Sequence, residues 1–224
     1  YNNKFLFYIK DIKEMDTTTL KMFWLELESQ WKIAFVQGIF KREIDWSLQE
    51  FSKESSSLEN YVPTNEELLL LTEIRTLKLS GKGGGDINFN LTNLSGLIQL
   101  STINNKLEEL RLDFNNIRSI EGLTAFRNLR ILQLSDNMLS DLNGCEGLEQ
   151  LEELYVSNNF LKNLEGIEHL TNLQMLGLTD NRKLENLHGI EKLHKLSNLY
   201  VSGLSNLLEG EIPRLKLALP NCYI

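Results

Sequence analysis

Cysteine, proline and histidine are scarce in this chain: two, three and three among 224 residues. Two cysteines exclude a disulfide-stapled scaffold. Three prolines, set against 45 leucines, exclude collagen-like and low-complexity disorder, both poor in large aliphatics. No apolar run approaches the ~18 uncharged residues that a membrane helix needs. A basic excess is missing too. The net charge is −8, which argues against a nucleic-acid binder, because phosphate binding relies on clustered Lys and Arg. The acid excess is spread evenly: residues 1–72 carry 8 basic and 12 acidic side chains, and residues 73–224 carry 15 and 19. Neither an acidic tail nor a basic arm stands out. The first residue is Tyr1 rather than Met, the expectation for a trimmed or processed product, so a missing leader carries no information. The length suffices for one sizeable core and is short for three ordinary domains.

Leucine is what the chain has in plenty, and it is in register. Leu107, Leu129, Leu151, Leu173 and Leu196 follow one another at steps of 22, 22, 22 and 23 residues. Each opens the pattern L-x-x-L-x-L-x-x-N-x-L. The first copy reads Leu107, Leu110, Leu112, Asn115, Ile117, Ile120, Leu123 and Phe126, and the third reads Leu151, Leu154, Val156, Asn159, Leu161, Leu164, Ile167 and Leu170. The fourth has one extra residue after Asn181, and the fifth has Leu204 where Asn is expected. Alternation in L-x-L is a short strand with every second side chain inward. The later apolar positions step by three, as in a tight 3₁₀-like turn that brings the chain back. Asn115, Asn137, Asn159 and Asn181 stand where the chain leaves each strand, placed to bond backbone groups as a ladder. Asn115 is expected to matter least, since the irregular first repeat covers it. No single repeat can bury its leucines alone, so stacked repeats share one core.

On these residues the chain resembles the leucine-rich repeat family, over roughly Ile74 to Ile224. The 22-residue length is similar to the phosphatase-regulator subclass and to bacterial internalin arrays. The resemblance implies an α/β solenoid: a right-handed curved array with a parallel concave sheet, closed by a helical N-terminal cap. It also implies a protein partner, since such relatives bind phosphatases or host receptors. About seven strands are expected, near Leu77, Leu110, Leu132, Leu154, Leu176, Leu199 and Cys222.

Both ends depart from the repeat. Ile74, Leu77 and Leu79 start a first strand, and the excess before Leu107 fits an insert loop at about 81–90. Leu219, Cys222 and Ile224 restate the pattern as a truncated terminal repeat, 219–224, after a helical connection from Glu211 to Leu219 with Pro213 in its first turn. Residues 1–72 do not repeat and form the expected cap, with 73–224 as the solenoid. Leu20, Trp24, Leu27, Trp31, Ala34 and Phe35 make a helical stripe, with Asp16 or a nearby Thr as N-cap. Thr64 with Glu67 forms a capping-box pattern.

Little in the chain points to catalysis. The Gly81–Asp86 loop lacks the P-loop and dinucleotide spacings, so it reads as an insertion rather than a nucleotide site. His169, His188 and His194 have no second ligand at metal spacing and read as surface residues. Cys145 and Cys222 occupy core positions of their repeats, about 19 Å apart at ~4.8 Å per strand, too far to pair. Free thiols point to a reducing compartment, with a bacterial surface or secreted setting as the alternative. Asn90 and Asn93 fit glycosylation sequons that an Asn-rich chain produces by chance. No nucleophile, base and oxyanion donors come together, so catalytic, cofactor and metal residues are not assigned.

The concave face is the expected binding surface. One outward column runs Thr76, Glu109, Ile131, Glu153, Met175 and Asn198, and the next runs Lys78, Arg111, Gln133, Tyr155, Gly177, Tyr200 and Tyr223. Ile131, Tyr155, Met175, Tyr200 and Tyr223 make an apolar, aromatic patch on a face that should be wet, and Gly177 leaves a dip between Tyr155 and Tyr200. Arg111, Glu109 and Asp113 add polar orientation toward the N-terminal end. The chain is therefore expected to be a monomeric, non-catalytic scaffold for a protein or peptide partner. Two alternatives stand beside this: the recognition arm of an enzyme whose catalytic domain lies elsewhere, and a structural or surface-display protein.

Overall fold

The computed structural model describes residues 17–39, 61–81 and 89–224. Helices α1 (Thr17–Glu26), α2 (Ser29–Gly38) and α3 (Asn65–Glu73) come first. Then follow β1 (Thr76–Lys78), α4 (Ser95–Leu100), β2 (Glu109–Arg111), β3 (Ile131–Gln133), β4 (Glu153–Tyr155), β5 (Met175–Gly177), β6 (Asn198–Tyr200) and α5 (Glu211–Ala218). Short 3₁₀ turns at Leu123–Ala125, Ile167–His169 and Ile190–Lys192 line the back, where apolar residues step by three. In the first repeat α4 takes their place. Leu97 and Leu100 are buried on it, because an α-helix also brings every third residue to nearly the same side, and Leu91 and Leu94 are buried in the segment just before it. Most of the expected insert loop, 82–88, lies outside the described residues, as does Asp16.

The six strands form one parallel sheet in chain order. Leu77, Leu110, Leu132, Leu154, Leu176 and Leu199 lie opposite one another in register, and all are buried. A constant repeat length does this: equal steps bring equivalent residues to the same height, so leucine stacks on leucine.

The asparagine ladder is built as the spacing predicts, and each rung reaches back one repeat. Asn137 Nδ2 donates to Leu112 O at 2.9 Å, Leu134 O at 3.1 Å and Ser135 O at 3.2 Å, while its Oδ1 accepts from Ile117 N at 3.0 Å. Asn159 does the same with Leu134 O, Val156 O, Ser157 O and Leu139 N. Asn115 is no weaker. It bonds Leu79 O, Leu112 O, Asp113 O and Leu91 N at 2.8–3.2 Å, so the irregular first repeat supplies full partners after all.

The helical stripe spans two helices, α1 and α2, which break between Leu27 and Ser29. Its six residues are buried and join the same core as the solenoid. Trp31 stacks obliquely on Phe35 at 5.5 Å and donates Nε1 to Asn93 Oδ1 at 3.3 Å, just before α4. Gln99 Nε2 of α4 donates to Phe23 O of α1 at 3.1 Å. The Thr64–Glu67 capping box is present at the start of α3. Asn104 ties α3 to the first repeat, donating to Leu71 O at 2.6 Å and Ile74 O at 3.0 Å. The N-terminal helices thus pack on the first repeat and share its core, covering leucines that would otherwise face water.

The C-terminal end corrects the sequence reading. A seventh strand does not form. Helix α5 continues to Ala218, and Leu219 N still bonds Leu215 O at 2.8 Å. Cys222 N then bonds Leu219 O at 3.0 Å, so 219–222 is a turn and not an extended segment. Only Tyr223 reaches the sheet, as a single bridge to Asn198. Cys222 is consequently half-buried at the margin of the core, packed against it, whereas Cys145 is fully buried, and both thiols are free.

Candidate binding face

On each strand the central leucine points into the core and its two neighbours point to the open face. The register aligns the two outward columns over β1–β6: Thr76, Glu109, Ile131, Glu153, Met175 and Asn198 in one, Lys78, Arg111, Gln133, Tyr155, Gly177 and Tyr200 in the other. Tyr223 does not take its expected place in the second column. Its bridge sets it opposite Asn198, so it continues the first column, and not beside Tyr200 in the second. Tyr223 N donates to Ser197 O and Leu199 N to Tyr223 O, both at 2.8 Å. The shift is two residues, so the side chain stays on the same face, 70% exposed.

The expected dip at Gly177 is filled from within. A β-carbon on Gly177 would stand 3.0 Å from Tyr155 Cδ1 and 3.3 Å from Ser157 Oγ. The Tyr155 ring therefore leans over Gly177. Its hydroxyl donates to Glu153 Oε2 at 3.1 Å and lies 3.5 Å from Met175 Sδ. Burial pushes the Tyr155 phenol up to about 12, with the Glu153 charge adding to it. Gly177 is buried, Tyr155, Met175 and Ile131 are half-buried, and Tyr200 is 39% exposed. The patch is an apolar floor, interrupted by Glu153 between Ile131 and Met175, beside an exposed ring.

The N-terminal end of the face is polar and internally matched. Arg111 Nε donates to Glu109 Oε1, Thr76 Oγ1 donates to Glu109 Oε2 at 3.2 Å, and Lys78 Nζ lies 4.0 Å from Glu109 Oε1. Burial works against the Glu109 charge, but Arg111 and Thr76 outweigh it and hold the carboxyl below its ordinary value. Asp113 serves the fold. Its Oδ1 accepts from Ser135 N at 2.9 Å and its Oδ2 from Ser80 Oγ at 3.3 Å, and burial raises its pKa.

Two features escaped the pattern of leucines. Gly122, Gly144, Gly166 and Gly189 recur seven or eight residues after each ladder asparagine, all with φ between 91° and 99°, a fixed offset that the sequence displays. At Gly144 a β-carbon would also stand 3.0 Å from Glu121 Cα, so glycine is needed for space as well as for φ. Phe114, Asp136, Asn158 and Asp180 precede the asparagines in left-handed backbone, φ 53–58°. Asp and Asn tolerate that region; Phe114 is the exception. Among the described residues no three His, Cys, Asp or Glu side chains come together to hold a metal ion. His169, His188 and His194 are exposed.

Comparison with known proteins agrees with this geometry. A leucine-rich repeat family profile matches residues 105–161, and a two-copy leucine-rich repeat profile matches 149–193. An internalin of Listeria monocytogenes superposes with a TM-score of 0.58 at 20% identity, covering 84% of this chain and 49% of that one. A leucine-rich repeat protein of Leptospira interrogans gives 0.56 at 25% identity, covering 70% and 50%. The chain thus spans about half the length of these two structures. No curated protein matches it. The repeat pattern, the parallel sheet and the matched profiles agree that residues 105–193 are built of leucine-rich repeats.

Proposed function

We propose that the chain is a binding module for a protein or peptide, held across the concave sheet over Ile131, Tyr155, Met175 and Tyr200. The observation that carries this reading is the composition of the face at β3–β6: half-buried apolar and aromatic side chains occupy positions that a purely solvated sheet face would fill with polar ones. Tyrosine offers a large, stiff contact surface at small entropic cost. Short strands locked in register keep that surface rigid, which lowers the ordering cost of association. Leucine-rich repeat folds commonly serve as interaction scaffolds. Among the described residues no helix is long and apolar enough to cross a membrane.

Peptides selected from a random display library against the chain provide the probe. Tyr155→Ala and Tyr200→Ala should each weaken their binding by about 1–3 kcal/mol, and Glu165→Ala, on the opposite side, should leave it unchanged. Tyr200 is the cleaner test, since Tyr155 also packs on Gly177. Loss of binding in the Glu165 variant with retention in both tyrosine variants would refute the concave assignment.

A further inference from the structure

The repeats act as controls for one another, and one comparison separates two carboxylates in the same column. Glu109 on β2 and Glu153 on β4 occupy equivalent positions, two strands apart. Two residues on, Glu109 has Arg111, whose Nε it accepts, and Lys78 and Thr76 stand beside it as well. Glu153 has Tyr155 at that place, and the phenol bonds only Oε2. Among the described residues no ion pair involves Glu153. Its column neighbours are Ile131 and Met175, which offer it neither charge nor hydrogen. A carboxylate between two apolar side chains, with no cation of its own, is the uncompensated charge on this floor.

We propose that Glu153 is a cation subsite: the partner segment brings an arginine side chain to Glu153, with an apolar residue beside it over Met175 and Tyr200. This rests on the concave reading above and adds the chemistry of the ligand. A guanidinium fits better than an ammonium here. It bonds a carboxylate through two parallel N–H groups and lies flat against an aromatic ring, and the Tyr155 ring stands next to Glu153. The half-buried setting strengthens such a pair relative to one in open water. The Tyr155 phenol, pushed up to about 12 by burial and then by Glu153, already senses that charge. Within the fold, Arg111 with Glu109 is the same arrangement made internally.

The probe is a pair of blocked tripeptides, acetyl-Leu-Arg-Leu-amide and its Gln counterpart, titrated while backbone amide shifts are followed. The Arg peptide should perturb the amides of β3, β4 and β5 and bind about fivefold or more tighter than the Gln peptide. Glu153→Gln should erase that preference while keeping the melting temperature. Tyr155→Arg, which rebuilds the Glu109–Arg111 arrangement, should erase it too. Equal binding of both peptides on the concave strands would overturn the cation subsite and leave the concave reading standing, as would a preference that survives Glu153→Gln. Shifts confined to the back of the solenoid, or none with either peptide, would overturn both.

Discussion

Trp31 occupies the space that a side chain at Gly96 would need: a β-carbon there would stand 2.2 Å from the indole. Gly96 lies inside α4, where alanine would ordinarily be favoured by ~1 kcal/mol. Here the contact decides otherwise. Gly96→Ala should destabilise the chain by about 1–3 kcal/mol through overpacking, measured by denaturant unfolding. A more stable variant would mean that the helical cap is not seated on the first repeat.

The asparagine ladder makes a sharper claim about equality. Asn115, Asn137 and Asn159 each make four backbone hydrogen bonds and are at most 6% exposed. Replacement of any one by Ala leaves buried backbone groups unpaired and should cost about 1–3 kcal/mol, with Asn115 no cheaper than the others. Thermal melts of the three variants, side by side, check this.

Acid should loosen the C-terminal end. Glu211 Oε2 accepts from Leu187 N at 2.7 Å and from Arg214 Nη2 at 2.9 Å, and Arg214 Nη1 also reaches Glu191 Oε2 at 3.0 Å. The Arg214 hydrogen bond is the main reason that Glu211 stays below its ordinary 4.5. Glu191 is lowered as well: burial opposes it, and its own backbone amide with Arg214 outweighs burial. Both groups take up protons less readily folded than unfolded. Their contribution is therefore full above about pH 4.5 and is lost as the pH falls through their folded values. Glu211→Gln should lower the melting temperature at neutral pH, and the gap to the parent should close below that range. A gap that stays constant into strong acid would show that charge plays no part.

Alkali tests the ring over Gly177. The Tyr155 phenol should titrate at about 12, against an ordinary 10.0, because burial and then Glu153 oppose its ionisation. The unfolded chain loses this proton first, so stability should fall as the pH rises from 10 toward 12. Gly177→Ala, which crowds the ring outward, should bring the value back down in a ring-carbon NMR titration. A Tyr155 that titrates normally in the parent protein is not seated as described.

The solenoid was legible because burial and pitch speak through the same residues: a leucine every 22 positions fixes strand, register and core together. The outward columns followed from the register alone. What failed depended on choices the pattern does not encode. Continuing the repeat puts Tyr223 beside Tyr200, but α5 keeps hold of Leu219 and lets only one residue reach β6. The space at Gly177 looked open because spacing says where a side chain is rooted and nothing of which way its ring falls. The glycine offset is present in the sequence. It carries no hydrophobicity, so a search for apolar spacing passes over it.

Each ladder asparagine takes its partners from its own corner and from the repeat just before, and every such corner offers the same backbone groups. Excision or duplication of one 22-residue unit, cut at equivalent leucines, would therefore join two ends that already fit. Recombination between repeats would then change the length of the array while each junction keeps the same corner backbone bonds. The innovation left to point mutation is confined to the outward columns, where each added unit brings two unclaimed side chains.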